Sequence, residues 1–219
     1  MNVVLSWSSG KDSAWTLQRL QAAPGIHLAG LCTTINEQAN RVAMHAVRRE
    51  LLDRQAAAAG LALDVIPLPF PCSNTRYEDA MRAYFADLND RGVDAVAYGD
   101  LHLADVREYR ENLMRDSGLQ PLFPIWGSDT RLLGQEMAEA GLRARITCVD
   151  PAQLGREFCG REFDSAFLAD LPDGIDHCGE NGEFHSYTYA GPMFSAAINV
   201  TSGDTVERDG FVSTDLVAE

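Results

Sequence analysis

The first half of the chain alternates short runs of β-branched and aliphatic residues with stretches of helical period, and this constrains the fold more than any other feature. Residues 3–7 read as a strand and 13–22 as a helix whose apolar face carries Trp15, Leu17 and Leu20. A strand over 28–34 is followed by a helix over 45–60, with Val47, Leu51, Leu52 and an alanine run inward and Gly60 as its stop. A strand over 64–68 is closed by Pro67 and Pro69. Asn74 is placed to cap a helix running to Arg91, a strand follows over 94–98, and a helix over 105–117 stops at Gly118. Strand and helix in strict alternation imply an α/β fold: a parallel sheet with helices on both faces. Ligands of such sheets sit beyond the carboxyl ends of the strands, so the informative loops follow Trp7, Thr34, Leu68 and Tyr98.

The second half is less regular. Residues 119–126 are extended and punctuated by proline, 129–140 read as a helix with Asp129 at its N-cap, 143–149 as a strand and 163–171 as a helix. A Gly- and acid-rich turn spans 178–185, and the tail from Tyr187 to Val217 reads as one or two β-hairpins with turns at Ser202-Gly203-Asp204 and Asp209-Gly210. A soft boundary near 124–128 divides a first part, 1–126, from a smaller C-terminal part, 127–219, expected to bind substrate.

The chemistry concentrates between the first strand and first helix, in Ser8-Ser9-Gly10-Lys11-Asp12-Ser13. A strand that feeds a helix through small residues aims backbone N–H groups at the point where the helix dipole is positive. Ser8, Ser9 and Ser13 add hydroxyls, Gly10 allows close backbone approach, and Lys11 adds charge, so the segment reads as a cradle for phosphate or pyrophosphate. The same residues also read as an ordinary helix start capped by Ser8 or Ser9, with Asp12 in the first turn. The P-loop of GxxxxGK[ST] type is excluded, because Leu5 stands where its first glycine belongs and Asp12 follows the lysine.

Composition narrows the function classes. Of 18 basic residues seventeen are Arg, and Lys11 is the single lysine, a compact charge where arginine's fork would not serve. The net charge of −14 counts against general nucleic-acid binding. Five cysteines, odd in number and without a CxxC pair, count against a disulfide framework or a structural zinc site, and His177, Cys178 and His185 lack zinc-ligand spacing. No apolar run approaches the about 20 residues of a membrane span, and residues 1–7 read as a strand in place of a signal peptide, so the cytoplasm is the expected compartment.

Ser8 to Ser13 resembles the Ser-Gly-Gly-x-Asp-Ser loop of the N-type ATP pyrophosphatases, with Ser9 in place of the first glycine. Gly99-Asp100-Leu101, Asp105-Val106-Arg107, Arg110, the stretch Gly118-Leu119-Gln120-Pro121-Leu122-Phe123-Pro124-Ile125-Trp126, and Gly179-Glu180-Asn181-Gly182-Glu183-Phe184-His185 resemble blocks of the diphthine–ammonia ligase family. The resemblance implies a Rossmann-like domain that binds ATP and Mg2+, adenylates a carboxylate with release of pyrophosphate, and passes the acyl group to ammonia or an amine. It implies ATP contacts from Ser8, Ser9, Gly10, Lys11, Asp12, Ser13, Thr33, Thr34, Asp100, Arg107 and Arg110, the two threonines where the backbone meets adenine. Asp12 and Asp100 are the expected metal ligands, with Asp105 as a further candidate or a helix cap. Lys11, Asp12, Glu180 and Glu183 are the expected catalytic residues, the two glutamates suited to substrate, ammonium or a proton. Read from the residues alone, Arg107 and Arg110 also fit a solvated face paired with Glu108 and Glu111, and Glu180 and Glu183 a solvated acidic turn. His45 divides between cap and site; His185 reads as a structural histidine or a base. The carboxylate belongs to a small molecule or a protein, a homodimer is compatible with the sequence, and the rivals are a nucleotide-binding module without catalysis and a related enzyme of tRNA or sulfur chemistry.

Overall fold

A computed structural model describes residues 1–38, 41–42, 47–208 and 210–219. The parallel sheet forms from β1 (Asn2–Ser6), β2 (His27–Asn36), β4 (Leu63–Leu68), β5 (Ala95–Ala97) and β6 (Gln120–Leu122), in the order β4-β2-β1-β5-β6. The two-residue β3 (Arg41–Val42) pairs antiparallel with the end of β2. Helices α1 (Lys11–Ala22), α2 (Arg49–Ala59), α3 (Asn74–Asp90) and α4 (Ala104–Met114) connect the strands. The α/β fold expected from the alternation is the fold observed.

β1 lies between both helical layers, and its period-two alternation divides the core. Val3 and Leu5 face one apolar cluster with Trp15 and Leu17 of α1 and Leu51 and Leu52 of α2; Val4 faces another with Met81 and Phe85 of α3 and Met114 of α4. Burying leucines such as Leu51 and Leu52 contributes about 2 kcal/mol each. The chain runs outward through β1, β2 and β4, then returns to the other side of β1 to lay down β5 and β6. The switch point therefore falls between β1 and β5, where such sheets open a crevice for a ligand.

The second sheet, in the order β8-β7-β10-β9, is antiparallel and consists of β7 (Arg143–Val149), β8 (Phe184–Ala190), β9 (Val200–Arg208) and β10 (Phe211–Ala218). Helices α5 (Thr130–Glu139) and α6 (Ser165–Asp170) complete this half. Ile146, Phe163, Phe167 and Tyr187 join the same apolar cluster as Leu5 and Trp15, so one continuous core spans both halves.

Several local expectations shift. Ser73, not Asn74, caps α3 by accepting the Arg76 N–H. Asp105 is exposed in the first turn of α4 and caps nothing. Ser202-Gly203-Asp204 runs inside β9, because pairing with β10 outweighs turn propensity there. The tail forms one hairpin, β9–β10, while β8 pairs with β7 from earlier in the chain. Asp129 caps α5 as expected, and Gly60 ends α2 in the left-handed conformation. The helix expected over 45–60 starts later, at Arg49, with Arg48 at its N-cap, and His45 lies outside the described residues.

Candidate functional site

At the switch point a cavity of about 210 Å3 is lined by Ser8, Gly10, Lys11, Asp12 and Ser13 from the loop after β1, by Tyr98, Gly99, Asp100 and Arg110 from the β5 side, and by Gly179, Glu180, Phe184, His185 and Ser186 from the second half. Ligand-binding clefts commonly gather convergent polar groups from separate elements in this way. Two loops can meet here because residue 99 is glycine: a Cβ there would lie 3.1 Å from the backbone of Asp12 and Ser13.

The loop after β1 lines the cavity with hydroxyls and the start of α1. Gly10 is the N-cap of α1 and brings no side chain of its own; the Ser186 hydroxyl takes the Lys11 N–H, and the positive end of the helix dipole borders the cavity. The Ser13 hydroxyl donates to the Gly10 carbonyl at 3.0 Å and lies 3.1 Å from the Ser8 hydroxyl. Neither Ser8 nor Ser9 is the cap. Ser9 has φ +74°, left-handed backbone that favours glycine, and its buried hydroxyl has no hydrogen-bond partner. Ser9→Gly is therefore expected to stabilise the protein by about 1 kcal/mol, seen as a higher urea midpoint at constant m-value. A lower midpoint would show that the hydroxyl is satisfied in solution.

Lys11 is 2 % exposed, and its ammonium donates to both Asp12 oxygens, at 3.0 and 2.9 Å, and to the Cys178 carbonyl. The rings of Phe163 and Phe184 enclose it at 5.6 and 5.2 Å. Burial works to lower the Lys11 pKa, but the charge of Asp12, its hydrogen bond to the ammonium and the charges of Cys178 and Glu180 together outweigh it, and the group stays above its ordinary value. The Lys11 N–H donates to the Ser186 hydroxyl at 3.1 Å, and the Ser9 carbonyl accepts from the Thr188 N–H at 3.0 Å.

Gln55 was not legible as a site residue. Fully buried on α2, it accepts from the Trp7 indole at 2.8 Å and donates to the carbonyls of Ser9 at 3.0 Å and Thr188 at 2.6 Å. It satisfies buried polar groups of Trp7 and Ser9 in the loop after β1 and of Thr188 on β8 at once, each costly to leave unpaired. Its only sequence signal is a polar residue on the inward face of a helix.

On the opposite wall Asp100 accepts from Arg110 Nε at 2.5 Å and Nη2 at 3.0 Å. The Arg110 guanidinium stacks on Tyr98 at 4.5 Å. The Tyr77 hydroxyl also hydrogen-bonds Arg110, and the fork has further N–H groups to offer a ligand. Arg107 does not line the cavity. Its guanidinium contacts the Phe123 and Trp126 rings at 4.7 and 4.8 Å and donates to Glu111 at 2.7 Å. Thr33 and Thr34 lie on β2 opposite Val65 and Ile66, outside the cavity lining.

Glu180 and Glu183, alike in sequence, part company in space. Glu183 is 2 % exposed and turned into its own loop, accepting from the N–H groups of Asp176 and Asn181 and the Asn181 side chain, each at 3.0 Å. Glu180 faces the cavity, with Oε1 accepting the Leu101 N–H at 2.8 Å. Burial raises its pKa above the usual carboxylate value, opposed by that N–H. Asp176, a second organiser that the sequence reading missed, accepts from the N–H groups of Cys178 at 2.8 Å and Glu180 at 3.2 Å.

Burial, and then the positive charge of Lys11, push the His185 imidazole down to about 4 from 6.5. Between these values the unfolded chain binds a proton that the folded one refuses. The stability due to the neutral ring is complete above pH 6.5 and is lost as the pH falls through about 4, by about 3 kcal/mol. Urea unfolding at pH 7 and near pH 4.5 should show the fall, and His185→Gln should flatten it.

A Rossmann-like parallel sheet with a helix N-terminus at its switch point, joined to a second, antiparallel sheet, defines an α/β protein with a polar cleft at that point. Residues 1–121 match the diphthamide synthase N-terminal domain and residues 129–215 the diphthamide synthase C-terminal domain. The chain is 27% identical to a diphthine–ammonia ligase of Bos taurus over 230 residues, 94% of this chain and 85% of that one. It is 26% identical to those of Homo sapiens and Danio rerio, with 94% of this chain and 85% and 89% of theirs covered. The chain belongs to the diphthamide synthase family. Among the described residues no helix is long and apolar enough to cross a membrane.

Proposed function

We propose that the protein is an ATP-dependent, AMP-forming ligase that adenylates a carboxylate and transfers the acyl group to ammonia or an amine. The observation that carries this reading is the convergence on one cavity of a helix N-terminus, the Arg110 fork and the Glu180 carboxylate from the other half of the chain, in a protein similar to enzymes named diphthine–ammonia ligase. ATP falls to residues 1–126, and the carboxylate, on a small molecule or a protein, to 127–219.

The first turn of α1, with the hydroxyls of Ser8 and Ser13, receives the β- and γ-phosphates, and Arg110 neutralises them from the facing wall. A substrate carboxylate oxygen bonds to the α-phosphorus, and the α–β bridging bond breaks with its electron pair on pyrophosphate. The amine nitrogen then bonds to the acyl carbon, AMP leaves with the electron pair of the C–O bond, and Glu180 accepts the proton that the nitrogen sheds. Positioning and charge neutralisation supply the catalysis.

The lining fits Mg2+. Three carboxylates, Asp12, Asp100 and Glu180, stand against two cations, Lys11 and Arg110, so a triphosphate would raise an existing negative excess. Among the described residues no group of three or more His, Cys, Asp or Glu is placed to hold a metal ion; Mg2+ beside a nucleotide takes one or two carboxylates with phosphate oxygens and waters. Asp12 and Asp100 would hold it, Asp100 by giving up an oxygen now on Arg110. Bound there, the ion would neutralise phosphate charge.

The test is calorimetry with Mg–ATP, followed by product analysis with ammonium and a panel of carboxylates. AMP with pyrophosphate is the expected outcome; no binding at millimolar ATP, or ADP as the sole product, refutes the reading.

A further inference from the structure

We infer that Lys11 is a positioning residue and not a phosphate ligand: its buried ammonium is the strut that holds the turn carrying Glu180 against the phosphate end of the cavity. The inference rests on the reading of that cavity as the ATP site.

An ammonium has three N–H donors. Those of Lys11 meet three acceptors, the two Asp12 oxygens and the Cys178 carbonyl, and the Phe163 and Phe184 rings close over what remains. Turning the ammonium to a phosphate would strip a carboxylate of its counter-charge and leave a buried carbonyl without its donor. The cation offered to the phosphates is Arg110, whose fork is held by Asp100 and Tyr98 with donors to spare.

From Cys178 the chain reaches Glu180 in two residues. Asp176 ties the N–H groups of both, and the Leu101 N–H fixes the Glu180 carboxylate. The strut joins points 167 residues apart in sequence, and the neighbouring bonds Lys11 N–H to Ser186 and Thr188 N–H to the Ser9 carbonyl run alongside it. The phosphate loop and the cavity wall of the second half are thereby one assembly. Arginine would not serve, because its five-donor fork would lack acceptors between the two rings, and this accounts for one lysine among 18 basic residues.

The single lysine makes the test direct. Protein labelled with [ε-13C]lysine shows one side-chain signal. That signal should show Overhauser contacts to the Phe163 and Phe184 rings, and should keep both contacts and position when Mg–ATP is added, while the Gly10 and Ser13 amides shift. Loss of the ring contacts, or a lysine shift as large as that of the loop amides, overturns the inference. In Lys11→Met, Mg–ATP should still bind and shift the Gly10 and Ser13 amides, with affinity lowered by less than about 10-fold through the lost counter-charge of Asp12. The Gly179 and Glu180 amides should exchange at least about 10-fold faster in that variant. Affinity falling more than about 10-fold with unchanged exchange overturns it. If Mg–ATP moves no loop amide of the wild type, the ATP reading falls, and the ring contacts and the exchange rates decide the strut on their own.

Discussion

Asp12→Asn is expected to lower the formation of AMP and pyrophosphate by about 100-fold or more, the scale on which preorganised charge at a reacting centre acts. Two effects combine. The substitution removes one of the carboxylates that would hold Mg2+ against the phosphates. It also leaves the Lys11 ammonium, 2 % exposed, without its counter-charge. Breaking such a pair costs about 3 kcal/mol of stability. The effects separate by measurement: urea unfolding reads the second, and calorimetry with Mg–ATP well below the unfolding transition reads the first. A variant that is destabilised but binds and turns over Mg–ATP at more than about half the wild-type rate would reduce Asp12 to the partner of Lys11.

Gly179→Ala should rival it. Residue 179 has φ +69°, and a Cβ there would lie 2.7 Å from the Phe184 carbonyl oxygen and 3.0 Å from two atoms of its ring. The obstacle is the backbone of β8, paired along its length with β7, so it cannot yield cheaply. A cost of about 3 kcal/mol is expected, with turnover down about 100-fold because Glu180 is the next residue. Gly182 supplies the control. Its φ is +86° but a Cβ there meets nothing, so Gly182→Ala should cost only about 1 kcal/mol. Unfolding and turnover of the two variants side by side are the check; equal costs would mean that the turn is not clamped against β8.

The parallel sheet was legible because its strands and helices carry their burial pattern locally. Residues 143–149 were read as a strand with the bounds observed, and Asp129 and Gly60 act as the cap and stop that their types favour. The strand, small-residue loop and helix around Ser8 to Ser13 were legible too, since their succession is set by residues near one another. Misreadings cluster where two local signals compete. Ser73 and Asn74 both suit an N-cap, and Ser202-Gly203-Asp204 has turn composition but lies in β9, whose ladder with β10 overrode it.

From the linear chain came the fold class, the loop between the first strand and helix, the acid-rich turn and the family, all of which depend on residues near one another or on blocks in fixed order. Tertiary structure alone assigned the side chains their places. It buried Lys11 under a turn 167 residues away, sent Glu183 into its own loop while leaving Glu180 at the cavity, and put Ser9 in glycine's conformation. It also made Gln55 the link between a loop and a strand 133 residues apart from it. Periodicity records which face of an element is buried, but not what it is buried against. Partner, charge balance and hydrogen-bond satisfaction are settled only when distant segments meet in one low-dielectric core.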